Sequence, residues 1–156
     1  MRRTTLCYVT CGDQVLLMHR VKKKQDINHD KWIGIGGKFL EGESPEECLL
    51  RETREETGLV LDNWNCRGVV TFRNEGEEGE YMYLFTAQLD VSVPLPECPE
   101  GDLQWVNREF LNSLPMWEGD KIFLELLWRD APFFLLTLDY CGERLISAVL
   151  NGQKIR

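Results

Sequence analysis

Glutamates in the segment GGKFLEGESPEECLLRETREETGL, residues 36–59, stand at a spacing that could bind a metal ion. Residues three and four apart share one face of a helix, so Glu52, Glu55 and Glu56 would converge, with Glu43 just upstream. Like charges this close repel each other. Hard divalent cations bind several carboxylate oxygens, and Mg²⁺ combines a few carboxylates with water and substrate phosphate. The spacing therefore indicates either a solvated acidic face or a divalent-cation site.

The helix that would hold these glutamates has clear start and stop signals. Ser44 suits the N-cap, Pro45 suits the first helical position, and Glu47 completes a capping box. Gly58 is placed to end the helix. The ordinary alternative is an amphipathic helix in water, on which Arg51 pairs with a glutamate one turn away.

The residues that surround the glutamates favour the metal site. They resemble the signature of the Nudix hydrolase family, which has a glycine, a glutamate, Arg-Glu and Glu-Glu at fixed intervals. The matching positions are Gly37, five residues, Glu43, seven residues, Arg51-Glu52, two residues, Glu55-Glu56, one residue, and Gly58-Leu59. Thr53 stands at a helical position that the family fills with an apolar residue, and this difference removes no ligand.

The resemblance implies a fold of class α/β (α+β), the Nudix fold, in which a mixed β-sheet is sandwiched between helices. It also implies hydrolysis of a diphosphate linkage, usually in a nucleotide, with Mg²⁺ or Mn²⁺. A bound cation would neutralise phosphate charge and lower the pKa of the attacking water. The metal ligands implied by motif position are the carbonyl of Gly37 and the carboxylates of Glu52, Glu55 and Glu56, and Arg51 would orient these glutamates.

Two further roles are expected, acid–base catalysis and phosphate binding. Glu56 would act as general base, and Glu100, with Glu97 as a weaker candidate, lies where many Nudix members carry an extra catalytic carboxylate. Arg20 and Lys38 are candidates to bind substrate phosphate, although each could equally be a solvated charge. The basic run at residues 22–24 and the two histidines are interpreted as solvated or structural.

The segments KWIGIGGK and LPMWEGDKIFLELLW resemble the MutT-type oxidised purine nucleoside triphosphate hydrolases within this family. Trp117, Asp120 and Phe72 match residues of the base pocket in that branch, where an aromatic ring stacks on the purine and an acid accepts its N–H groups. Ile33 and Gly119 depart from the branch pattern, which has an Asn and an acid there. Ile33 remains a pocket candidate without a side-chain hydrogen bond.

Three functional hypotheses follow. The first is Mg²⁺-dependent cleavage of oxidised purine nucleoside triphosphates such as 8-oxo-dGTP to the monophosphate and pyrophosphate, which would sanitise the nucleotide pool. The second is hydrolysis of a nucleoside diphosphate linked to another moiety, such as ADP-ribose, a dinucleoside polyphosphate or an RNA cap. The third is a nucleotide sensor without catalysis, a class whose members usually lose signature glutamates that are intact here.

Length, net charge and cysteine content limit the binding partners and the cellular location that we expect for the protein. The 156 residues suit one domain, residues 1–156, and a net charge of -8 argues against non-specific nucleic-acid binding. The 6 cysteines form no CxxC pair, so free thiols in a reducing compartment are expected. No signal-peptide pattern or membrane-length apolar run is found. We expect a cytoplasmic monomer or homodimer whose partner is a small nucleotide, with no nucleic acid and no membrane.

The elements that must position these residues follow from local patterns. Apolar runs on both sides of Gly12-Asp13 predict a hairpin, and KWIGIGGKFL predicts short strand pieces. Two β-rich segments flank the turn EGEEGE, and a strand LQWV follows a proline-rich loop. A short helical segment from Asn107, a helix over GDKIFLELLWRD and a hairpin turning near Cys141-Gly142 complete the chain. The predicted order is β-β-β-α-β-β-β-α-β-β.

Overall fold

Ten strands form one sheet in the computed structural model, which describes residues 1–156. The strands are β1 (Arg2–Cys11), β2 (Gln14–His19), β3 (Trp32–Ile33), β4 (Ile35–Lys38), β5 (Asn65–Asn74), β6 (Glu80–Gln88), β7 (Asp102–Asn107), β8 (Phe134–Cys141), β9 (Arg144–Leu150) and β10 (Gln153–Lys154). The helices are α1 (Pro45–Thr57), a 3-10 helix (Arg108–Ser113) and α2 (Glu118–Trp128). The predicted elements are confirmed, with KWIGIGGKFL forming two strands, β3 and β4, in place of one, and β10 is an addition.

The sheet is mixed, as predicted. Its strand order is β10-β9-β8-β5-β6-β1-β2-β3, with β4 paired to β1 and β7 paired to β2. β1 runs parallel to β6 and β5 runs parallel to β8, whereas the other pairs are antiparallel. β1 therefore lies at the centre, with β6 along one edge and β4 and then β2 along the other.

The two α-helices cover opposite faces of this sheet. Successive residues of a strand point to opposite faces, and on β1 Leu6 and Tyr8 pack in one apolar core with α2, while Cys7 and Val9 pack in a second core with α1. The predicted sandwich of a mixed sheet between helices is confirmed. Neither of these helices has the length and apolar character needed to cross a membrane.

Helix α1 begins and ends as the sequence predicts. The Ser44 side chain accepts a hydrogen bond from the backbone N–H of Glu47, and the Glu47 carboxylate accepts one from the N–H of Ser44. Gly58 ends the helix with a left-handed φ of 76° and donates to the carbonyl of Arg54. Thr53, which departs from the apolar pattern, is nevertheless buried. Both helix ends are thus fixed by local hydrogen bonds.

Candidate active site

Glu52 packs directly against the backbone of Gly37, so that strand β4 and helix α1 meet at one point. A Cβ atom on Gly37 would lie 2.5 Å from Cδ of Glu52 and 2.6 Å from its Oε1. A side chain at position 37 would therefore force the Glu52 carboxylate to move from this position. Gly37 is paired to Thr5 of β1. Gly37 and Glu52, which the signature predicts as metal ligands, are therefore brought together where β4 meets α1.

Arg51 organises the acidic residues around this contact. Its guanidinium donates to Glu43 at 2.6 and 3.0 Å, to Glu52 at 2.8 Å, to Glu55 at 3.2 Å and to the carbonyl of Lys38 at 3.0 Å. The hydrogen bonds from Arg51, followed by one from the N–H of Leu40, lower the pKa of Glu43 to about 2. The orienting role predicted for Arg51 agrees with this geometry.

Glu56 is the most deeply placed of the signature glutamates. It is only 8% exposed, and its Oε1 atom is buried without a hydrogen-bond partner. Burial, followed by the negative charges of Glu100 and Glu52, raises the pKa of Glu56 to about 9. The ionised form of this carboxylate therefore needs a compensating positive charge.

The loop before β7 brings Glu100 to Glu56. Ligand atoms of Glu56, Cys98 and Glu100 all lie within 4.8 Å of one another. Cys98 pairs with Gly101 in an isolated bridge, and the Nζ atom of Lys22 donates to the carbonyl of Cys98 at 2.7 Å. The interpretation of Lys22 as a solvated charge is wrong, because its ammonium group donates a hydrogen bond to the backbone of this loop.

The carboxylates on α1 and Glu100 fit a divalent cation. The buried and unpartnered Oε1 of Glu56, the mutual repulsion of three carboxylates, and the Gly37 backbone beside Glu52 make a site rich in oxygen ligands and short of positive charge. Glu97 is exposed and lies outside the cluster, which favours Glu100 as the extra carboxylate.

A cleft of about 280 Å³ opens beside this cluster, and Gly37 lines it as well. The cleft contains all the residues that the sequence predicted to bind substrate, namely Arg20, Ile33, Lys38, Phe72, Trp117 and Asp120. These residues come from five separate parts of the chain. The structure thus brings the predicted base pocket and the predicted metal ligands together at Gly37.

Aromatic rings form one side of the cleft. The ring of Phe72 stacks on Tyr140 with centroids 4.7 Å apart, and Trp117 meets both rings edge-on at 5.7 and 5.2 Å. The indole N–H of Trp117 donates to Asn28 at 2.7 Å, and the Lys31 ammonium lies 4.7 Å from the indole centre. Trp117 is 5% exposed, so it serves both as core and as cleft wall.

Four acids line this cleft, and Asp120 and Glu80 are less exposed than the other two, Glu77 and Glu78. Asp120 is 6% exposed, and burial, followed by the charge of Glu80, raises its pKa to about 8, against an opposing effect of Lys31. Glu80 lines the same cleft and accepts a hydrogen bond of 2.7 Å from the hydroxyl of Thr4. No sequence pattern predicts Glu80 as a cleft residue, because only the parallel pairing of β1 with β6 places it here.

The structure accounts for the glycine at position 119. A Cβ atom there would lie 2.4 Å from a methyl carbon of Leu138 and 2.7 Å from the hydroxyl of Tyr140. The same hydroxyl accepts a 2.7 Å hydrogen bond from the N–H of Gly119, in the first turn of α2, where Trp117 provides no side-chain cap. An acid at position 119 would therefore collide with the group that caps the helix.

The two predicted phosphate-binding cations differ in their surroundings. Arg20 is paired with Asp26 at 2.7 Å and is 19% exposed in its side chain, and its charge lowers the pKa of Glu56. Lys38 is exposed at the end of β4 and contributes only its carbonyl to the Arg51 network. Both lie at the junction between the cleft and the carboxylates.

Comparisons with known proteins agree with this architecture. The NUDIX domain profile matches residues 1–127. The chain is 32% identical to an uncharacterized Nudix hydrolase, YvcI, of Bacillus subtilis, in an alignment that covers 100% of this chain and 98% of the relative. It is 31% identical to the oxidized purine nucleoside triphosphate hydrolase of Mus musculus, in an alignment that covers 85% of this chain and 83% of the relative. It also resembles the MutT protein structure from Bacillus halodurans, with a TM-score of 0.83 and 30% identity over 97% of this chain and 98% of that one.

The profile match, these relatives and the mixed sheet between helices all indicate one family, whose members hydrolyse phosphoric anhydrides. The protein is a Nudix hydrolase.

Proposed function

We propose that the protein is a Mg²⁺-dependent pyrophosphohydrolase that cleaves purine nucleoside triphosphates, including oxidised ones such as 8-oxo-dGTP, to the monophosphate and pyrophosphate. The observation that carries this proposal is the position of Gly37, which lines the cleft and also touches the carboxylate of Glu52. A nucleotide with its base in the cleft would reach the metal ligands with its phosphates. The relative from Mus musculus supports this substrate class.

The cleft walls suit a purine. Phe72 and Trp117 supply aromatic surface, and Ile33 adds an apolar wall. Asp120 can accept a hydrogen bond when ionised and can donate one when protonated, and its pKa of about 8 gives access to both states near neutral pH. Because Ile33 offers no polar group, hydrogen bonding to the base would come from other polar residues of the cleft, such as Asp120, Glu80 and Asn28. We therefore expect only modest selectivity between oxidised and unoxidised guanine.

The catalytic cluster would hold and activate the phosphates. When bound, the divalent cation supplies neutralisation of phosphate charge and acidification of the attacking water. The ligands would be the Gly37 carbonyl and the carboxylates of Glu52, Glu55 and Glu56. Arg51 holds the carboxylates of Glu52 and Glu55 in place through hydrogen bonds of 2.8 and 3.2 Å.

The proton of the attacking water needs an acceptor. The free Oε1 of Glu56 is buried in the cluster and faces Glu100, so either carboxylate can receive this proton. Arg20 and Lys38 at the mouth of the cleft would bind the outer phosphate oxygens and the leaving pyrophosphate.

The test is a hydrolysis panel with Mg²⁺ that compares dGTP, 8-oxo-dGTP, 2-hydroxy-dATP, ADP-ribose and a dinucleoside polyphosphate by kcat/KM, with product identification. Release of pyrophosphate from the purine triphosphates is the expected result. Glu56→Gln should lower kcat by several orders of magnitude while circular dichroism shows an intact fold, and Glu41→Gln, an exposed neighbour outside the cluster, is the matched control. Preferred cleavage of ADP-ribose to two monophosphates would contradict the proposal, as would normal turnover by Glu56→Gln.

A further inference from the structure

We propose that Cys98 makes the metal site of this protein a binding site for thiophilic divalent cations, such as Co²⁺, Zn²⁺ and Cd²⁺, held jointly by the Cys98 thiolate and the carboxylates of Glu56 and Glu100. The inference rests on the metal site of the proposed function. It adds a sulfur ligand that is absent from the glutamate signature of α1.

The geometry allows one ion to reach all three side chains. Their ligand atoms lie within 4.8 Å of one another. Zinc binds cysteine sulfur at about 2.3 Å and carboxylate oxygen at about 2.0–2.2 Å. Small side-chain rotations would therefore place an ion between the sulfur and two carboxylate oxygens.

Burial of the unpaired carboxylate points to a ligand in this position. Glu56 is 8% exposed, and its Oε1 atom has no hydrogen-bond partner, although buried carboxylate oxygens are normally paired. Cys98, which is 2% exposed, faces the same small space. A buried cysteine by itself would be an ordinary core residue, but the carboxylate beside it has a buried oxygen, Oε1, without a hydrogen-bond partner.

Two backbone contacts hold the loop that carries Cys98 in place. Lys22 donates to the carbonyl of Cys98 at 2.7 Å, and Cys98 is bridged to Gly101 immediately before β7. Both contacts involve the backbone of Cys98 and leave its sulfur free. The thiol is thus held beside the carboxylates by groups that do not compete with a cation.

The chemistry separates this mode from Mg²⁺ binding. Coordination breaks the S–H bond of Cys98, forms a metal–sulfur bond and releases the thiol proton to solvent. Mg²⁺ takes oxygen ligands and gains little from sulfur, whereas Co²⁺ and Zn²⁺ bind thiolate and imidazole well. We expect these ions to bind more tightly than Mg²⁺ and to displace it.

The experiment is a Co²⁺ titration of the metal-free protein, followed by absorbance in the near ultraviolet, where thiolate-to-cobalt charge transfer appears. The wild type should develop this band, and excess Mg²⁺ should shift the titration to higher Co²⁺. Cys98→Ser should lose the band, whereas Cys66→Ser and Cys141→Ser, which alter the two exposed cysteines, should keep it. Glu100→Gln should keep the band and require at least about tenfold more Co²⁺, because loss of a group that only orients a metal ligand already costs about that much. A wild type without the band, or Cys98→Ser with it, overturns the proposal.

A second measurement uses the wild-type protein alone, so that its result does not depend on whether the Cys98 variant folds. X-ray absorption at the cobalt edge should show one sulfur among the ligands, and a shell of oxygen and nitrogen alone overturns the proposal. Mg²⁺-dependent hydrolysis is measured separately on the same protein. If the protein cleaves triphosphates but shows no cobalt–sulfur bond, only the role of Cys98 is refuted. If it shows the cobalt–sulfur bond but does not cleave triphosphates, only the proposed function is refuted.

Discussion

Arg51 holds both carboxylate oxygens of Glu43, with Nε 2.6 Å from Oε2 and Nη2 3.0 Å from Oε1. Glu43 in turn accepts a hydrogen bond from the N–H of Leu40 at 2.8 Å. Because the guanidinium also reaches Glu52 and Glu55, one side chain joins the loop before α1 to the proposed metal ligands. Arginine can do this because its donors form a fixed planar fork, which lysine lacks.

Arg51→Lys should therefore lower the rate of triphosphate hydrolysis by about 10–100-fold, the usual cost of losing a group that orients metal ligands. We expect the loss to be accompanied by a higher Mg²⁺ requirement, measured as pyrophosphate release across a Mg²⁺ titration. Arg54→Lys is the matched control, because Arg54 is exposed on the same helix, and it should behave as wild type. An unchanged Mg²⁺ requirement in Arg51→Lys would show that the fork does not position the ligands.

Tyr140→Phe tests the unusual cap of α2. Removal of the hydroxyl leaves the buried N–H of Gly119 without its acceptor, which should lower the free energy of unfolding by about 1–3 kcal/mol. Urea denaturation measures this change. Tyr81→Phe, at an exposed tyrosine that makes no hydrogen bond, should change stability little. Equal stability of the two variants would mean that water or another group replaces the cap.

The parts of the site predicted from the sequence depend on local signals. The helix α1 is specified by its own capping box and by Gly58, and its glutamates converge because of helical spacing alone. Gly37 and Glu52 are separated only by residues 38–51, and their contact follows once β4 and α1 form. For these residues short-range physics is sufficient.

The remaining parts depend on pairings between distant segments. Glu80 reaches the cleft because β6 runs parallel to β1 with Glu80 opposite Arg2, and no local pattern specifies that register. The capping of Gly119 by Tyr140 joins α2 to β8, and the bond from Lys22 to Cys98 joins residues 76 positions apart in the sequence. Lysine and tyrosine occur in many solvated positions, so their types give no signal for these roles.

Asp120→Asn should stabilise the protein in a pH-dependent way. The folded-state pKa of Asp120 is raised from 3.8 to about 8, so between these values the folded state retains a proton that the unfolded state has lost. Stability conferred at low pH is therefore lost as pH rises through this window, by at most about 1.4 kcal/mol per pH unit, and the loss is complete above about pH 8.

The asparagine variant lacks this titration, so its advantage over the wild type should grow from pH 4 to pH 8. Thermal or urea unfolding at several pH values measures the difference. Asp62→Asn, at an exposed aspartate, provides the control and should give a difference that does not grow. A constant difference between wild type and Asp120→Asn would mean that Asp120 is ionised in the folded protein.

Glu80→Gln should weaken binding of the purine more than it slows the chemical step. Glu80 lines the cleft, is held by the Thr4 hydroxyl at 2.7 Å and lies outside the cluster of Glu56 and Glu100. Loss of one hydrogen bond to the base should raise KM for purine triphosphates about five- to tenfold with kcat nearly unchanged. Steady-state kinetics with dGTP and 8-oxo-dGTP give both constants, with Glu75→Gln as the control, because Glu75 is exposed and outside the cleft. A fall in kcat at constant KM would instead place Glu80 in catalysis.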